Sequence, residues 1–390
     1  MSGSLRPDRI GTFAVASPSA VIHPSHRGLL RLVTGKSRGV ARLDAVIVPS
    51  SRGPGHLAQG EALAHALGCP LLVLAGGTTA PPARTERGPA ASAVVVGIPA
   101  GLSLPLLDFA TARHAEATSR RNLDVSTKRN LGLIVARLTG WQRILFLDDD
   151  VRDVGPLAVA RTLGALGRLR AAGWTSRHFP DNSVVCHANR LSGAWQDTFV
   201  SASALAIQVE GCLPFFPPVY NEDWLFLYPW VARAAVAWAG DVRQIPYDPF
   251  LDPARAAGQE FGDVLGEGLF HLLHERQSLR VACSNAYWAA VIDARRLLLD
   301  RIEWRLERTA FRDGRVGPAS PALRSLARSR CRLESIAPET LADYVEAWRG
   351  DLHAWNGRLA RLPRLGSLPE ALDHLGLSEH VRDTRPRRTA

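Results

Sequence analysis

Between residues 44 and 150 the chain repeats one pattern: a short apolar run, then a longer segment with helical spacing. The runs are DAVIVPSSR, PLLVLAGG, SAVVVGIP and RILFLDDD. A strand that is apolar at nearly every position has no face to give to water, so both of its faces must be covered. Such strands, joined by helices, fold as an α/β domain with a mainly parallel sheet sandwiched between helical layers. HLAQGEALAHAL supplies a helix after the first run. STKRNLGLIVARLTG supplies one before the last, with Ser126 as its expected cap and Gly140 as its stop. In sheets of this kind ligands bind beyond the carboxyl ends of the strands. There the last run ends in Asp148, Asp149 and Asp150.

Further on, the pattern predicts a helix around 155–172, a strand at NSVVCHANR, an apolar stretch SASALAIQVE, and a Pro-rich loop leading into a helix at PFFPPVYNEDWLFLYPWVARAA. Beyond about residue 280 the strands give way to helices. Trp288, Val291, Leu298, Ile302 and Leu306 share one helical face; Leu341, Val345, Trp348, Leu352, Trp355 and Leu359 share another. The expected division is an N-terminal extension (1–42), a sheet domain (43–279), a helical segment (280–375) and a disordered basic tail (376–390).

A formal charge of +10 over 390 residues raises nucleic acid as a partner. The arginines are scattered, however, and only Lys36 and Lys128 are lysines, so a solvated basic surface is expected and no nucleic-acid partner. The abundance of Arg, Ala and Gly suggests a GC-rich, bacterial coding sequence. Five cysteines without paired ligand spacing read as reduced, mostly buried thiols. No apolar run reaches the roughly 18–20 residues of a membrane span, and the first residues lack a secretory signal; a cytoplasmic protein with no transmembrane segment is expected. GKS at Gly35–Ser37 is not a phosphate loop, because Leu30 stands where its first glycine belongs.

Three adjacent carboxylates at a strand end repel one another, and a divalent cation removes that repulsion. Asp148 and Asp150 would share one side of a regular strand. Mg²⁺ or Mn²⁺, held by few protein ligands and completed by substrate phosphates, suits such a pair. Pairing with Arg143 or Arg152 at a polar strand terminus is the plainer account.

KRNLGLIVARLTGWQRILFLDDDV resembles the donor-binding half of GT-A glycosyltransferases, particularly family 2, in which an Arg-Asn-x-Gly helix leads into a strand ending in an Asp-x-Asp motif. YNEDWLFL resembles that family's Glu-Asp motif, and DAVIVPSSR its opening strand. The resemblance covers about residues 43–275. It implies a metal-dependent glycosyltransferase (EC 2.4, hexosyltransferase type) moving a sugar from a nucleoside-diphosphate sugar to an acceptor hydroxyl. By this resemblance Asp223 is the base of an inverting reaction, and Glu222 orients acceptor or chain. Asp150 binds Mn²⁺ or Mg²⁺ with help from Asp148, and His271, or else His274, adds a ligand. Pro49, Ser50, Arg52, Lys128, Arg129, Asp148 and Asp149 face the donor. Trp195, in NRLSGAWQD, is placed for stacking on a sugar, as a lid or in the core. Glycines in LAGGTTA replace the acidic residue that often reads the nucleobase in this family. QSLRV, with Val281 for Trp, departs from the motif of processive synthases. The alternatives are a sugar nucleotidyltransferase, a GT-A domain that binds a nucleotide-sugar or a partner without catalysis, and a phosphoryl-transfer enzyme with Asp148 as nucleophile.

Overall fold

The computed structural model describes residues 22–33, 41–76, 93–114, 117, 119–313 and 320–383. The predicted runs form β2 (Ala45–Ser50), β3 (Leu71–Ala75), β4 (Ala93–Gly97) and β5 (Arg143–Leu147), after a two-residue β1 (Arg31–Leu32). β2 lies between β3 and β5, parallel to both, and β3 is parallel to β4. The chain therefore builds outward through β3 and β4, then returns to the other side of β2 for β5. Where the direction of building reverses, the connections leave the two carboxyl ends on opposite faces and a crevice opens between them. Ser50 ends β2 and Asp148 follows β5, so the aspartates stand at that crevice.

Alternation along β2 explains the two layers. Ile47 packs with Phe146, Leu131 and Leu133 in one core; Val46 and Val48 pack with Leu63, Val159 and Leu163 in the other. The first layer contains α2 (Arg120–Thr139), and the second contains α1 (Ala58–Leu67) and α3 (Pro156–Ala165). Gly132 lets α2 sit close on the sheet: a Cβ there would stand 3.1 Å from both Ile47 Cγ2 and Phe146 Cε1. α2 begins earlier than predicted. Ser119, whose hydroxyl accepts from Asn122 N, is its cap, and Ser126 lies inside the helix, donating to the Phe216 carbonyl; the stop at Gly140, φ 76°, is as expected.

Beyond β5 come β6 (Val151–Arg152), α3, β7 (Ala171–Ser176), α4 (Val184–Leu191), β8 (Ala204–Gln208), α5 (Glu222–Val231), β9 (Val236–Gln244) and α6 (Ala254–His274). The predicted helix at 155–172 is thus shorter, because its last residues enter β7. NSVVCHANR is a helix and not a strand. Its two valines suggest extended chain, but the Ser183 hydroxyl accepts from Cys186 N and starts α4. The sheet order is β1–β9–β7–β8–β5–β2–β3–β4–β10, with β6 pairing β9 off this path. β8 runs antiparallel to both neighbours, and β10 (Val381–Asp383) runs antiparallel to β4. The strand at Val381–Asp383 corrects the expectation of a wholly disordered tail; residues 384–390 lie outside the described residues.

α7 (Asn285–Asp313), α8 (Pro321–Glu334), α9 (Pro338–Ala360) and α10 (Leu368–His374) complete the chain. The helical stripes are largely buried, with Leu298 and Leu352 half-buried: Trp288, Trp348 and Trp355 are fully inside, in one continuous core with the sheet's α2 face. Trp355 Nε1 donates to the Pro214 carbonyl (3.2 Å) and Trp288 Nε1 to that of Ala282 (2.7 Å), so two of these indoles keep a partner inside. The five cysteines are free, but Cys212 and Cys331 are exposed, unlike the buried thiols expected. Among the described residues no helix is long and apolar enough to cross a membrane.

Candidate active site at the strand ends

A cleft of about 390 Å³ opens at the switch point. Asp148, Arg129, Glu222 and Asp223 come together in its wall from three elements far apart in sequence. Arg129, buried on α2, joins them. Its Nη1 donates to Glu222 and its Nη2 to both oxygens of Asp148 at 3.0 Å. Burial alone lowers the pKa of Arg129, but Asp148, Glu222 and Asp223 together raise it, so the guanidinium stays charged. Burial pushes Asp148 up to about 7; Arg129 opposes the rise and Asp150 adds to it. Glu222 is also pushed up to about 7 by burial, against Arg129 and with Asp223. Burial raises Asp223 in the same way.

Glu222 and Asp223 occupy the first turn of α5, where the helix field favours carboxylates. Asn221, at φ 63°, precedes them in the left-handed conformation that Asn tolerates better than most residues. Its Nδ2 donates to Asp263 (3.1 Å), and Asp263 pairs with the buried Arg295 (2.7 Å). The turn carrying the two carboxylates is thereby tied to α6 and α7. Asp223 Oδ2 accepts from Ala202 N (3.0 Å).

The three aspartates do not act alike. β5 stops at Leu147 and the chain turns, with Val151 N donating to the Asp148 carbonyl (3.1 Å). Asp148 faces the cleft. Asp149 is buried and accepts from Ser50 Oγ (2.6 Å) and from Arg52. Asp150 accepts from Arg52 Nη2 (3.0 Å) and Gln244 Nε2 (3.3 Å). Asp149 and Ser50 thus tie β5 to β2 and have little freedom to meet a ligand. Arg52, 46% exposed along its side chain, is the most exposed member of the group. Arg143 and Arg152, the expected structural partners, form no ion pair with the aspartates: Arg152 donates to the carbonyls of Asp149 and Val151.

Lys128 does not project into the cleft. It is buried, donating to the Ser50 carbonyl (2.9 Å), Ser51 Oγ (2.9 Å) and Asp124 (2.5 Å). It braces the loop after β2, and Gly76 at the end of β3 leaves room for it: a Cβ there would meet the Lys128 ammonium. Pro49 lies within β2, half-buried and paired in register with Leu74. Arg129 is committed to Asp148 and Glu222, so of the two cations expected at the phosphates neither is free in this state.

His271 is not brought to Asp148 or Asp150. Its Nδ1 lies 3.1 Å from His23 Nε2, and neighbouring His274 Nε2 lies 3.0 Å from His26 Nδ1. Among the described residues no group of three or more His, Cys, Asp or Glu side chains is placed to hold a metal. A hard cation finished by phosphates and water needs only one or two carboxylates, and the hard oxygens of Asp150 and Asp148 suit it. Trp195 is 67% exposed and lies outside the cleft wall; Trp224 is the indole that lines it.

The cleft also contains residues that no motif marked. Asp181 lies between α4 and β7; burial, with Asp150 and Asp223 nearby, pushes it up to about 6. His26 and Glu267 face the cleft from the N-terminal segment and α6. Pro24–Arg27 are fixed there through Asp197, whose N–H donates to the Pro24 carbonyl (2.8 Å) and whose Oδ2 accepts from Ser25 Oγ (2.8 Å). This stretch of the supposed extension is a wall of the site.

No family model matches the chain, and no curated protein matches it. Among solved structures it is similar to a mannosyltransferase from Pyrobaculum calidifontis in complex with GDP-mannose and Mn²⁺, at 12% identity and a TM-score of 0.35, over 82% of this chain and 89% of that one. It is also similar to glucosyl-3-phosphoglycerate synthase from Mycobacterium tuberculosis in complex with Mn²⁺, UDP-glucose and phosphoglyceric acid, at 17% identity and a TM-score of 0.31, over 53% and 73%.

Proposed function

We propose that the chain is a metal-dependent glycosyltransferase that moves a sugar from a nucleoside-diphosphate sugar to an acceptor hydroxyl, inverting the anomeric carbon with Asp223 as base. One observation carries this function: Asp148 at the switch point meets Glu222 and Asp223 in the wall of a cleft, and Arg129 joins them. The spacing of the Asp-x-Asp and Glu-Asp motifs along the sequence supports it independently.

Asp150 and Asp148 would hold a divalent cation, Mn²⁺ or Mg²⁺, which would neutralise charge collecting on the departing diphosphate. Arg52, paired here with Asp149 and Asp150, carries a guanidinium suited to bidentate contact with the phosphates. Arg129 fixes Asp148 and Glu222 relative to each other. Asp223 takes the proton from the acceptor hydroxyl. The Ala202 N–H on Oδ2 orients its carboxylate. The raised pKa of Asp223 makes it a stronger base than an exposed aspartate.

Calorimetry with GDP, UDP, GDP-mannose and UDP-glucose, in Mn²⁺, in Mg²⁺ and with chelator, tests the donor site. One nucleoside diphosphate should bind only with metal, and Asp150→Ala should abolish that binding. Asp223→Asn should keep donor affinity and lose about 10²–10⁴ in kcat. If no nucleotide binds with either metal, or Asp223→Asn turns over normally, the proposal fails.

A further inference from the structure

The cleft is lined by more carboxylates than cations. Its arginines are Arg121 and Arg129 on α2 and Arg255 on α6; the wall built from α4, α6 and the loops beside them carries Asp181, Asp197, Asp252, Asp263 and Glu267. A chain of net charge +10 thus presents an acidic surface at one particular place.

Three of these five carboxylates are committed. Asp197 takes Arg27 at 3.3 Å and Ser25 Oγ at 2.8 Å. Asp263 takes Arg295 and Asn221. Asp252 accepts from Ala254 N (2.9 Å) at the start of α6. Arg255, the one arginine on this wall, is engaged by Tyr247: its Nη2 donates to the Tyr247 hydroxyl at 3.0 Å and its guanidinium lies 4.3 Å from that ring.

Asp181 and Glu267 pair with no arginine. Asp181 has Asp150 and Asp223 as like-charged neighbours, Arg129 opposing them, and Gln244 as a hydrogen-bond partner. Glu267 is 6% exposed, and its Oε2 accepts no hydrogen bond; it stands at ion-pair distance, 3.4 Å, from His26 Nε2, which is itself without a hydrogen-bond partner. A buried carboxylate oxygen left this way is costly unless a bound molecule supplies the donor. Ionised carboxylates only accept hydrogen bonds, so the groups that satisfy them are hydroxyls and ammonium groups. Trp224, on α5, adds an apolar ring to the lining of the same cleft. A phosphate or carboxylate here would meet like charge inside a cleft, where screening is weak.

We infer that this wall receives a neutral or cationic polyhydroxylated acceptor, a sugar or amino sugar, held by Asp181 and Glu267, and that it excludes anionic acceptors. The inference rests on the proposed transfer reaction for the word acceptor, but the charge preference of the wall can be measured without turnover.

The full chain is saturated with Mn²⁺ and with GDP or UDP, and methyl α-glucoside, glucosamine and glucose 6-phosphate are titrated into it. The neutral and cationic rings should bind, and the phosphorylated ring about tenfold or more weaker, as like charges across an interface require. In Glu267→Gln, and further in Asp181→Asn with Glu267→Gln, the gap between methyl α-glucoside and glucose 6-phosphate should close. Glu267→Gln alone is nearly isosteric and keeps the test open if the double variant fails to fold. Equal or tighter binding of glucose 6-phosphate, an unchanged gap in Glu267→Gln, or no binding of any ring at millimolar concentration overturns the inference. Nucleotide binding is recorded in the same cell, so failure of the donor site is seen separately from the order of the three rings.

Discussion

Arg295→Met tests how far the C-terminal helices sustain the cleft. Arg295 is buried on α7, with Nε 2.7 Å from Glu260 Oε1 and Nη2 at 2.9 Å from Glu260 Oε2 and 2.7 Å from Asp263. Glu260 is completely buried and also accepts from Ser329 on α8. Removing the guanidinium leaves two carboxylates in a dry interior, and breaking a buried pair from one side costs about 3–5 kcal/mol. In a chain of this size that lowers Tm by roughly 4–6 °C. The pH dependence follows from Asp263, which burial pushes up to about 6 even with Arg295 beside it. A folded pKa above the unfolded one gives stability that is complete below the unfolded value and is lost as pH rises through the folded value. Without Arg295 the folded value of Asp263 rises further, so the penalty is largest above neutrality and shrinks toward about pH 5. Urea unfolding followed by circular dichroism at about pH 5 and 7.5 measures both. Adding Glu260→Gln and Asp263→Asn removes the stranded charges and should recover most of the loss. A loss below about 1 kcal/mol at the higher pH, or one that does not shrink on acidification, refutes the reasoning.

Two more predictions follow from close contacts and from titration. Gly262→Ala drives a Cβ onto the Tyr220 carbonyl, which precedes Asn221 and the Glu222–Asp223 turn. It should destabilise by about 1–3 kcal/mol and lower kcat together with stability, and a variant with wild-type turnover and unfolding midpoint would contradict that packing. In the metal-free protein Asp148 and Glu222 sit at about 7 and Asp181 at about 6, all raised by burial. Their contribution is complete below about pH 4 and is lost as pH rises toward 7, so the urea midpoint measured in chelator should fall across that window; a rise would show that these carboxylates are not held as described.

The sheet was legible because strands covered on both sides leave uninterrupted apolar runs, and because Gly140 ends its helix visibly. β7 and β9 were not: AAGWTS contains small and polar residues, and its burial comes from neighbours distant in sequence. Asp148 and Asp223 were found through local motifs. Asp181, His26 and Glu267 were missed because each lies in ordinary surroundings and enters the cleft only when α4, α6 and the N-terminal segment pack. The same limit applies to Lys128 and Arg129. Their type suggests phosphate, but three-dimensional neighbours, Asp124 for one and Asp148 with Glu222 for the other, already take their charge. Sequence exposes the chemistry of a side chain and hides its prior commitments.

The two ends of the sheet share one further property. β1 lies along β9 at one margin, and β10 lies along β4 at the other. Both covering strands come from segments outside the α/β repeat, one before it and one after the helices. An uncovered β4 would present a row of unpaired amides and carbonyls beside Val94, Val95 and Val96, a template for joining another molecule edge to edge. Trimming the chain to its recognisable sheet domain would therefore remove the safeguards against self-association while leaving every motif in place. A shortened protein that precipitated would say nothing against the site.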